Sequence, residues 1–211
     1  MATRWLKDEE RAAWVRLVAV VELLPGVLDS QLRRDSGLTH FEYFVLAVLS
    51  EASDRTLRMT SLAQLTSATL PRLSHVVRRL EGRGLIHRLP CETDKRATNA
   101  QLTDAGYKVV VAAAPGHVEN VRQNVVDALT PDQVVQLRGI ADALLQRLDP
   151  EGRMTALFDP GAPEAKSNAC ASLAAARQRH GVSIRVPLGR NSALQGHEAA
   201  RDGPRQPELV R

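Results

Sequence analysis

The sequence predicts a mainly α-helical fold that carries one small β-hairpin. Only 3% of the 211 residues are aromatic, so a core must be built from Leu, Val, Ile and Ala, which favours helices. Apolar residues recur at three- and four-residue spacing through most of residues 6–148, as they do on one face of a helix. Residues 85–89 and 98–102 lack this period and are joined by a polar loop, which is typical of a hairpin.

Three capping boxes predict where helices begin. In each box, a Ser or Thr hydroxyl and the side chain of a Glu or Gln three residues later satisfy two backbone N–H groups at the start of the helix. The boxes start at Thr39, Ser61 and Thr130. A further long helix is expected to begin at Thr103.

Long helices are predicted at both ends of the folded region. The first is amphipathic and covers about residues 6–35, and the others cover about residues 103–148. Pro25 and Pro115 are expected to disturb them because proline removes a backbone hydrogen-bond donor. These helices carry more apolar surface than a small domain can cover, so we expect them to form a dimer interface.

The segment between the long helices, about residues 55–102, predicts a pair of helices followed by the hairpin. The first helix is short and ends in the tight turn Ser67-Ala68. Thr69 then caps the second helix, with Pro71 in its first turn, where a missing N–H costs little. Four apolar residues at helical spacing, the first of them Leu73, give this helix one buried stripe.

The composition changes at Asp149, so residues 1–149 are predicted to form the folded domain. Residues 150–211 are rich in Gly and Pro without apolar periodicity, and they are predicted to be mostly disordered. No apolar run approaches the roughly 20 residues needed to span a bilayer. Charged residues stand where a secretory signal would have its apolar core, and two cysteines are too few for a disulfide scaffold, so we expect a cytoplasmic protein.

Positive charge is concentrated in the middle of the chain. The whole sequence has a formal net charge of +4, but residues 55–97 hold 9 basic and 3 acidic side chains, while the flanking residues 1–54 and 98–149 are each net acidic. Such a cluster attracts a polyanion through the release of counterions. A helix pair followed by a basic hairpin is the arrangement of a winged helix-turn-helix, whose second helix enters the DNA major groove and whose hairpin forms the wing. The sequence therefore predicts a DNA-binding protein.

The residues predicted to contact DNA lie on the two helices of the pair and on the wing. Those nearest the start of the second helix are expected to reach bases, and those further along are expected to reach phosphates. For His75 the alternative is an ordinary solvent-exposed residue. The complete set is Ser61, Thr69, Pro71, Arg72, Ser74, His75, Arg78, Arg79, Lys95 and Arg96.

Four sequence motifs in a fixed order resemble the MarR family of bacterial transcriptional regulators. Each motif alone is common, whereas the ordered set is specific. The likeness covers about residues 10–148, and residues 114–118 are similar to a segment of actinobacterial members. The motifs are LSHVVRRLE at residues 73–81, RGLI at 83–86, DKR at 94–96 and LTDAG at 102–106.

The resemblance implies a homodimer whose terminal helices form the interface and whose wings contact adjacent minor grooves. Arg96 would insert into a minor groove, Lys95 would meet a phosphate, and Asp94 would orient the wing through a nearby Arg or a backbone N–H. A two-fold dimer predicts a palindromic operator.

The resemblance also implies a repressor that a small, often phenolic or anionic, ligand releases from DNA. Such ligands bind in a crevice between the dimer helices and the DNA-binding lobe. Five residues are candidates to line this crevice, and the alternative is that they have ordinary core and capping roles. These candidates are Trp14, Arg16, His40, Tyr43 and Phe44.

The motifs of several other function classes are missing. The chain has no nucleophile elbow, no His-Glu-x-x-His, no P-loop and no dinucleotide fingerprint, so we expect neither an enzyme nor a cofactor. His75, His87 and Cys91 fit no closed zinc pattern, so no metal is expected. Cys91 is either a redox sensor at the wing tip or an incidental loop cysteine. The alternative to a sequence-specific regulator is a basic helical module that binds nucleic acid without sequence preference or binds a protein partner.

Overall fold

The computed structural model describes residues 2–91, 94 and 96–154, and these form a mainly helical fold with one small sheet. This confirms the predicted fold class. The tail predicted to be disordered lies outside the described residues from position 155 onward, as does Lys95. The elements in chain order are α1 (Asp8–Ser36), α2 (His40–Glu51), a 3-10 turn (Ser53–Arg55), β1 (Thr56–Arg58), α3 (Met59–Leu65), α4 (Leu70–Gly82), β2 (Ile86–Pro90), β3 (Thr98–Leu102), α5 (Asp104–Val121), a π-helical turn (Arg122–Val126) and α6 (Pro131–Leu148).

Two of the three predicted capping boxes are confirmed. Thr39 Oγ1 accepts from the backbone N–H of Glu42 (3.1 Å), and the Glu42 carboxylate accepts from the backbone N–H of Thr39 (2.7 Å). Thr130 forms the same reciprocal pair with Gln133 at the start of α6. Thr103 caps α5 through a hydrogen bond from the backbone N–H of Gly106 (2.9 Å). Local sequence therefore sets the starts of α2, α5 and α6.

The capping box predicted at Ser61 is wrong. Helix α3 begins at Met59, with Arg58 at the N-cap position, so Ser61 lies inside the first turn. The reason is that the strand β1 leads directly into α3, and the side chain of Met59 is buried in the core. Burial of that apolar side chain favours the earlier start over a capping hydrogen bond, which typically contributes only about 1 kcal/mol.

Both long helices continue through their prolines. Pro25 lies inside α1, and Pro115 lies inside α5. The disturbance predicted at Pro115 does not interrupt the α-helix, and the backbone becomes irregular only in the π-helical turn Arg122–Val126. Next to Pro115, Gly116 is packed so closely that a Cβ there would lie 3.2 Å from the Gln31 side-chain nitrogen. Helix α5 therefore packs closely on α1 at the residue that follows Pro115.

The sheet has three antiparallel strands in the order β1-β3-β2. The hairpin of β2 and β3 is the predicted wing, with β3 as predicted and β2 starting one residue later than predicted. The third strand, β1, was not predicted. It pairs with β3 so that Arg58 lies opposite Asn99. This pairing fixes Arg58 beside the wing, near the loop end of β3.

The core lies where α2, α3, α4 and the sheet meet. The predicted apolar stripe of α4 is buried, with Leu73, Val77 and Leu80 fully enclosed. It packs in one cluster with side chains of α2 and α3, including Leu46 and Leu62. Each such side chain contributes about 1.5–3 kcal/mol when it leaves water. This burial fixes which face of α4 points outward.

The helices at the two ends of the described chain expose large apolar side chains. No residue of α6 is buried. Its exposed apolar residues include Val135, Leu137 and Ile140. The first half of α1 also exposes such residues, among them Trp14 and Val21. Within the described part of the chain, no helix is long and apolar enough to cross a membrane.

Candidate nucleic-acid interface

The helix pair predicted to read DNA is present as α3 and α4. The tight turn between them includes Ser67, whose φ of 48° is left-handed. It is closed by a hydrogen bond from the backbone N–H of Ala68 to the carbonyl oxygen of Ala63 (2.9 Å). Helix α4 follows with Thr69 at the N-cap position and Pro71 in the first turn, as predicted. Thr69 is exposed, and its hydroxyl makes no capping hydrogen bond.

The polar residues of α4 divide into two rows. Pro71, Ser74, His75 and Arg78 follow each other at helical spacing, and all but the half-buried Ser74 are exposed. This row lies on the side of α4 that borders the wing, because Ser74 lines a cavity there.

The second row of α4 faces α2. The Arg72 guanidinium stacks over the Phe41 ring, 4.4 Å from its centroid. Arg79 Nε donates to Glu42 Oε1 (2.7 Å). Both arginines were predicted to contact DNA, and that assignment stays a prediction. The structure gives each of them a partner on the first turn of α2.

Glu42 is the centre of this contact. Its side chain is only 4% exposed, and Arg83 Nη1 lies 4.0 Å from its Oε1. Burial acts to raise the pKa of the Glu42 carboxyl, but hydrogen bonds from Thr39 and Arg79 outweigh burial and hold that pKa below its ordinary value. The sequence identified Glu42 only as a member of a capping box. Nothing in the local pattern shows that it also pairs with an arginine 37 residues later.

One contact joins the wing to α4, and a second lies within the loop of the wing. Arg88 on β2 pairs with Glu81 of α4 (2.7 Å). In the loop, the Asp94 carboxylate accepts from the backbone N–H of Arg96 (3.1 Å), a contact of the kind expected of it. Cys91 is almost fully buried, so it does not stand at an exposed wing tip. Asp94 and Arg96 are both exposed, whereas the predicted Lys95 lies outside the described residues.

A cavity of about 200 Å³ lies between the start of α3, the first turns of α4 and the wing. Its lining includes three arginine side chains, Arg58, Arg88 and Arg96, together with Ser74. Arg58 and Arg88 belong to the basic cluster of residues 55–97, but neither was predicted to contact DNA. The strand β1, which positions Arg58, is too short to be recognised from alternation.

The predicted ligand crevice is assembled only in part. The Tyr43 ring on α2 lies against the ring of His117 on α5, with 4.7 Å between centroids, and His40 lies 6.1 Å from His117. Burial lowers the pKa of both histidines and raises that of Tyr43. His117 Nδ1 is enclosed and has no hydrogen-bond partner among the residues that the structure describes. The sequence did not single out His117, which lies 74 residues from Tyr43.

The other crevice candidates lie apart from these rings. Trp14 is 56% exposed on the first half of α1. Arg16 donates to the carbonyl oxygen of Ala12 within the same helix (2.9 Å). Phe44 on α2 is half-buried and packs against the hydrophobic core.

Comparisons with known proteins agree on one family. The model of the MarR family matches residues 38–98. Sco3205 of Streptomyces coelicolor, a MarR family transcriptional regulator crystallised in complex with DNA, is 45% identical. The match covers 71% of this chain and 93% of Sco3205, with a TM-score of 0.67. AbsC of the same organism, also a MarR family transcriptional regulator, is 36% identical over 72% of this chain and 99% of AbsC, with a TM-score of 0.64.

A curated relative gives the same family relationship over a shorter stretch. The HTH-type transcriptional regulator PecS of Dickeya dadantii (strain 3937) is 37% identical over 71 residues, which are 34% of this chain and 40% of PecS. This chain therefore spans less than half the length of that relative. Sco3205 and AbsC are matched over nearly their whole lengths, which confirms the resemblance of the motifs and the prediction of a regulator and not an enzyme. The chain therefore belongs to the MarR family of transcriptional regulators.

Proposed function

We propose that this protein is a homodimeric repressor that binds a palindromic DNA operator and is released by a small ligand. The observation that carries the proposal is the outward row of α4, formed by Pro71, Ser74, His75 and Arg78. This row stands beside the wing, and three arginines line the cavity between them. A helix with exposed polar residues fits the major groove, and a basic hairpin beside it reaches the neighbouring minor groove.

The outward row supplies the contacts to the major groove. Ser74 and His75 lie near the start of α4 and are assigned to base edges, while Arg78 is one turn further on and is assigned to phosphate. Arg96 on the wing is assigned to the minor groove, where a narrow groove attracts a cation. Thr69 is assigned to phosphate at the start of α4, because its hydroxyl makes no capping bond.

Arg72 and Arg79 are assigned to a different task from the one predicted. Each contacts the first turn of α2, through Phe41 and Glu42 respectively. A side chain held in this way sets the orientation of α4 against the body. We therefore assign both arginines as positioning residues that act on DNA binding through α4.

The apolar surfaces of α1 and α6 support the dimer. Helix α6 has 18 residues and none of them is buried, so most of its apolar side chains are left uncovered within the described chain. Ile140 is 59% exposed and Leu148 is 79% exposed, values that are unfavourable for large apolar residues left in water. A second copy that packs the same helices against them covers this surface by two-fold symmetry.

The ring cluster of His40, Tyr43 and His117 supports the ligand response. The cluster lies where α2 meets α5, and within the described part of the chain the enclosed Nδ1 of His117 has no hydrogen-bond partner. A phenol or carboxylate placed beside that ring would give it one. The ligand class expected is therefore a small molecule with a hydroxyl or acid group.

A gel shift tests the DNA-binding proposal. The full-length protein is titrated against the promoter region next to its own gene and against a random duplex of equal length, at physiological salt. We expect the promoter to be bound at least about 1,000-fold more tightly, the lower end of the range for specific regulators. Equal affinities would instead support a basic module without sequence preference. Light scattering tests the dimer, because a mass of 23.1 kDa in solution would contradict it.

A further inference from the structure

The cavity between α4 and the wing contains an arginine that the proposed contacts leave unexplained. Arg58 sits on β1, opposite Asn99 of the wing strand β3, and its side chain is half-buried. Among the described residues, its Nε is enclosed without a hydrogen-bond partner. Its Nη2 donates to the Cys91 sulfur at 3.5 Å, and a sulfur is a weak acceptor.

The charge of Arg58 is not balanced within the described chain. Among the described residues, no carboxylate lies within 4.0 Å of its guanidinium, whereas Arg88 in the same cavity is paired with Glu81 at 2.7 Å. Arg96, which also lines the cavity, makes no side-chain ion pair among the described residues either. Partly burying a cation without a counter-charge is unfavourable, so this cavity is suited to receive an anion.

The size and lining of the cavity match a phosphate group. A volume of about 200 Å³ is below the range of about 300–1,000 Å³ that drug-sized ligands occupy. Guanidinium groups present planar donors that fit phosphate oxygens, and the hydroxyls of Ser74, Thr60 and Thr98 in the lining add further donors. The chemistry is that of a phosphate monoanion or dianion.

The position of the cavity identifies the source of that phosphate. In the proposed complex α4 occupies the major groove and Arg96 the adjacent minor groove. One DNA backbone strand separates the two grooves, so it must pass between α4 and the wing, where the cavity opens. We infer that Arg58 binds one backbone phosphate of DNA in this cavity, an inference that rests on the proposed DNA-binding function.

The test is the salt dependence of DNA binding by Arg58→Gln, Arg58→Lys and the wild type. Each phosphate contact contributes about 0.9 to the slope of log affinity against log salt concentration. We expect Arg58→Gln to make the slope less steep by about that amount on both operator and random DNA, and Arg58→Lys to retain it. Arg153→Gln removes one charge from an arginine outside the winged helix and is the matched control, with an unchanged slope.

Thermal unfolding separates a phosphate contact from a structural arginine. Removal of an unbalanced cation should leave the melting temperature of Arg58→Gln equal to or above that of the wild type. A large fall in that temperature, or an unchanged slope, overturns the inference. The wild type could also bind operator and random DNA equally, while Arg58→Gln still has a less steep salt slope on random DNA. That result overturns the proposed sequence specificity but supports the phosphate contact.

Inorganic phosphate, added at constant ionic strength, distinguishes DNA from a free anion as the occupant. If phosphate raises the melting temperature of the wild type but not of Arg58→Gln, and the slopes of the two proteins agree, the cavity is a site for a free anion and the inference is wrong. The expected result is a difference in slope, with little stabilisation by millimolar phosphate.

Discussion

The contact between Glu42 and Arg79 makes a quantitative prediction for Arg79→Ala. Removing one member of a fully buried ion pair costs about 3–5 kcal/mol because a charge is left without a partner. Arg79 is 48% exposed and Glu42 is 4% exposed, so water reaches only one side of the pair. The backbone N–H of Thr39 stays bonded to the carboxylate at 2.7 Å, and Arg83 stays 4.0 Å away. We therefore expect Arg79→Ala to lower the free energy of unfolding by about 2–3 kcal/mol.

The measurement is urea unfolding followed by circular dichroism near pH 7. Arg78→Ala is the matched control, since this neighbouring arginine is exposed and its loss should cost less than about 0.5 kcal/mol. Glu42→Gln keeps an acceptor for Thr39 and should cost less than Arg79→Ala, because the arginine it leaves behind is hydrated. The double variant should be more stable than the two single losses predict, by about 0.5–3 kcal/mol. Additive losses, or a cost of Arg79→Ala no larger than that of Arg78→Ala, would refute the reasoning.

The same two variants also decide between positioning and phosphate contact for Arg79. If Arg79 acts through α4, Arg79→Ala weakens operator binding but leaves the salt slope unchanged. Arg78→Ala should reduce the slope by about 0.9, as expected for a phosphate contact. A reduced slope for Arg79→Ala would return Arg79 to the DNA surface, as the sequence alone suggested.

Three further predictions test the dimer, the buried histidines and the wing. Ile140→Glu should give a monomer by light scattering, whereas Gln146→Glu on the opposite face of α6 should not; a dimeric Ile140→Glu variant would exclude α6 from the interface. Burial lowers the pKa of His40 and His117, so the unfolded chain binds more protons and the free energy of unfolding falls from about pH 7.5 to about pH 5.5. His117→Gln should reduce that fall in urea titrations, and an equal fall would remove His117 as its source. Arg96→Ala should weaken operator binding and relax any A·T preference beside the half-sites; unchanged affinity in a gel shift would contradict its minor-groove role.

Features that depend on neighbouring residues could be predicted from the sequence. The starts of α2 and α6 follow from side chains three residues apart, and both were predicted correctly. The buried stripe beginning at Leu73 follows from helical spacing alone. Ser61 satisfied the same capping pattern and yet failed, because β1 exists only through its pairing with β3, more than 40 residues away. A pattern of neighbouring residues cannot show that β1 forms and moves the start of α3.

The division of α4 into two rows was available in the sequence in principle. Arg72 and Arg79 are seven residues apart and so share one face, while Ser74 and Arg78 lie on another. What the sequence could not supply was the identity of the neighbour. Only the packing of α2 beside α4 shows that the face with Arg79 meets a buried carboxylate and that the other face meets the wing.

The first turn of α2 connects the two proposed activities. Phe41 and Glu42 hold α4 through Arg72 and Arg79, and the neighbouring residue on each side of this pair, His40 and Tyr43, faces His117 on α5. A helical turn moves as a unit because its backbone hydrogen bonds link successive residues. A ligand that shifts His40 and Tyr43 therefore also shifts the two anchors of α4. In the proposed dimer, which would read two half-sites together, a small change in the angle of each α4 would alter the spacing of both reading helices and lower the affinity for the operator.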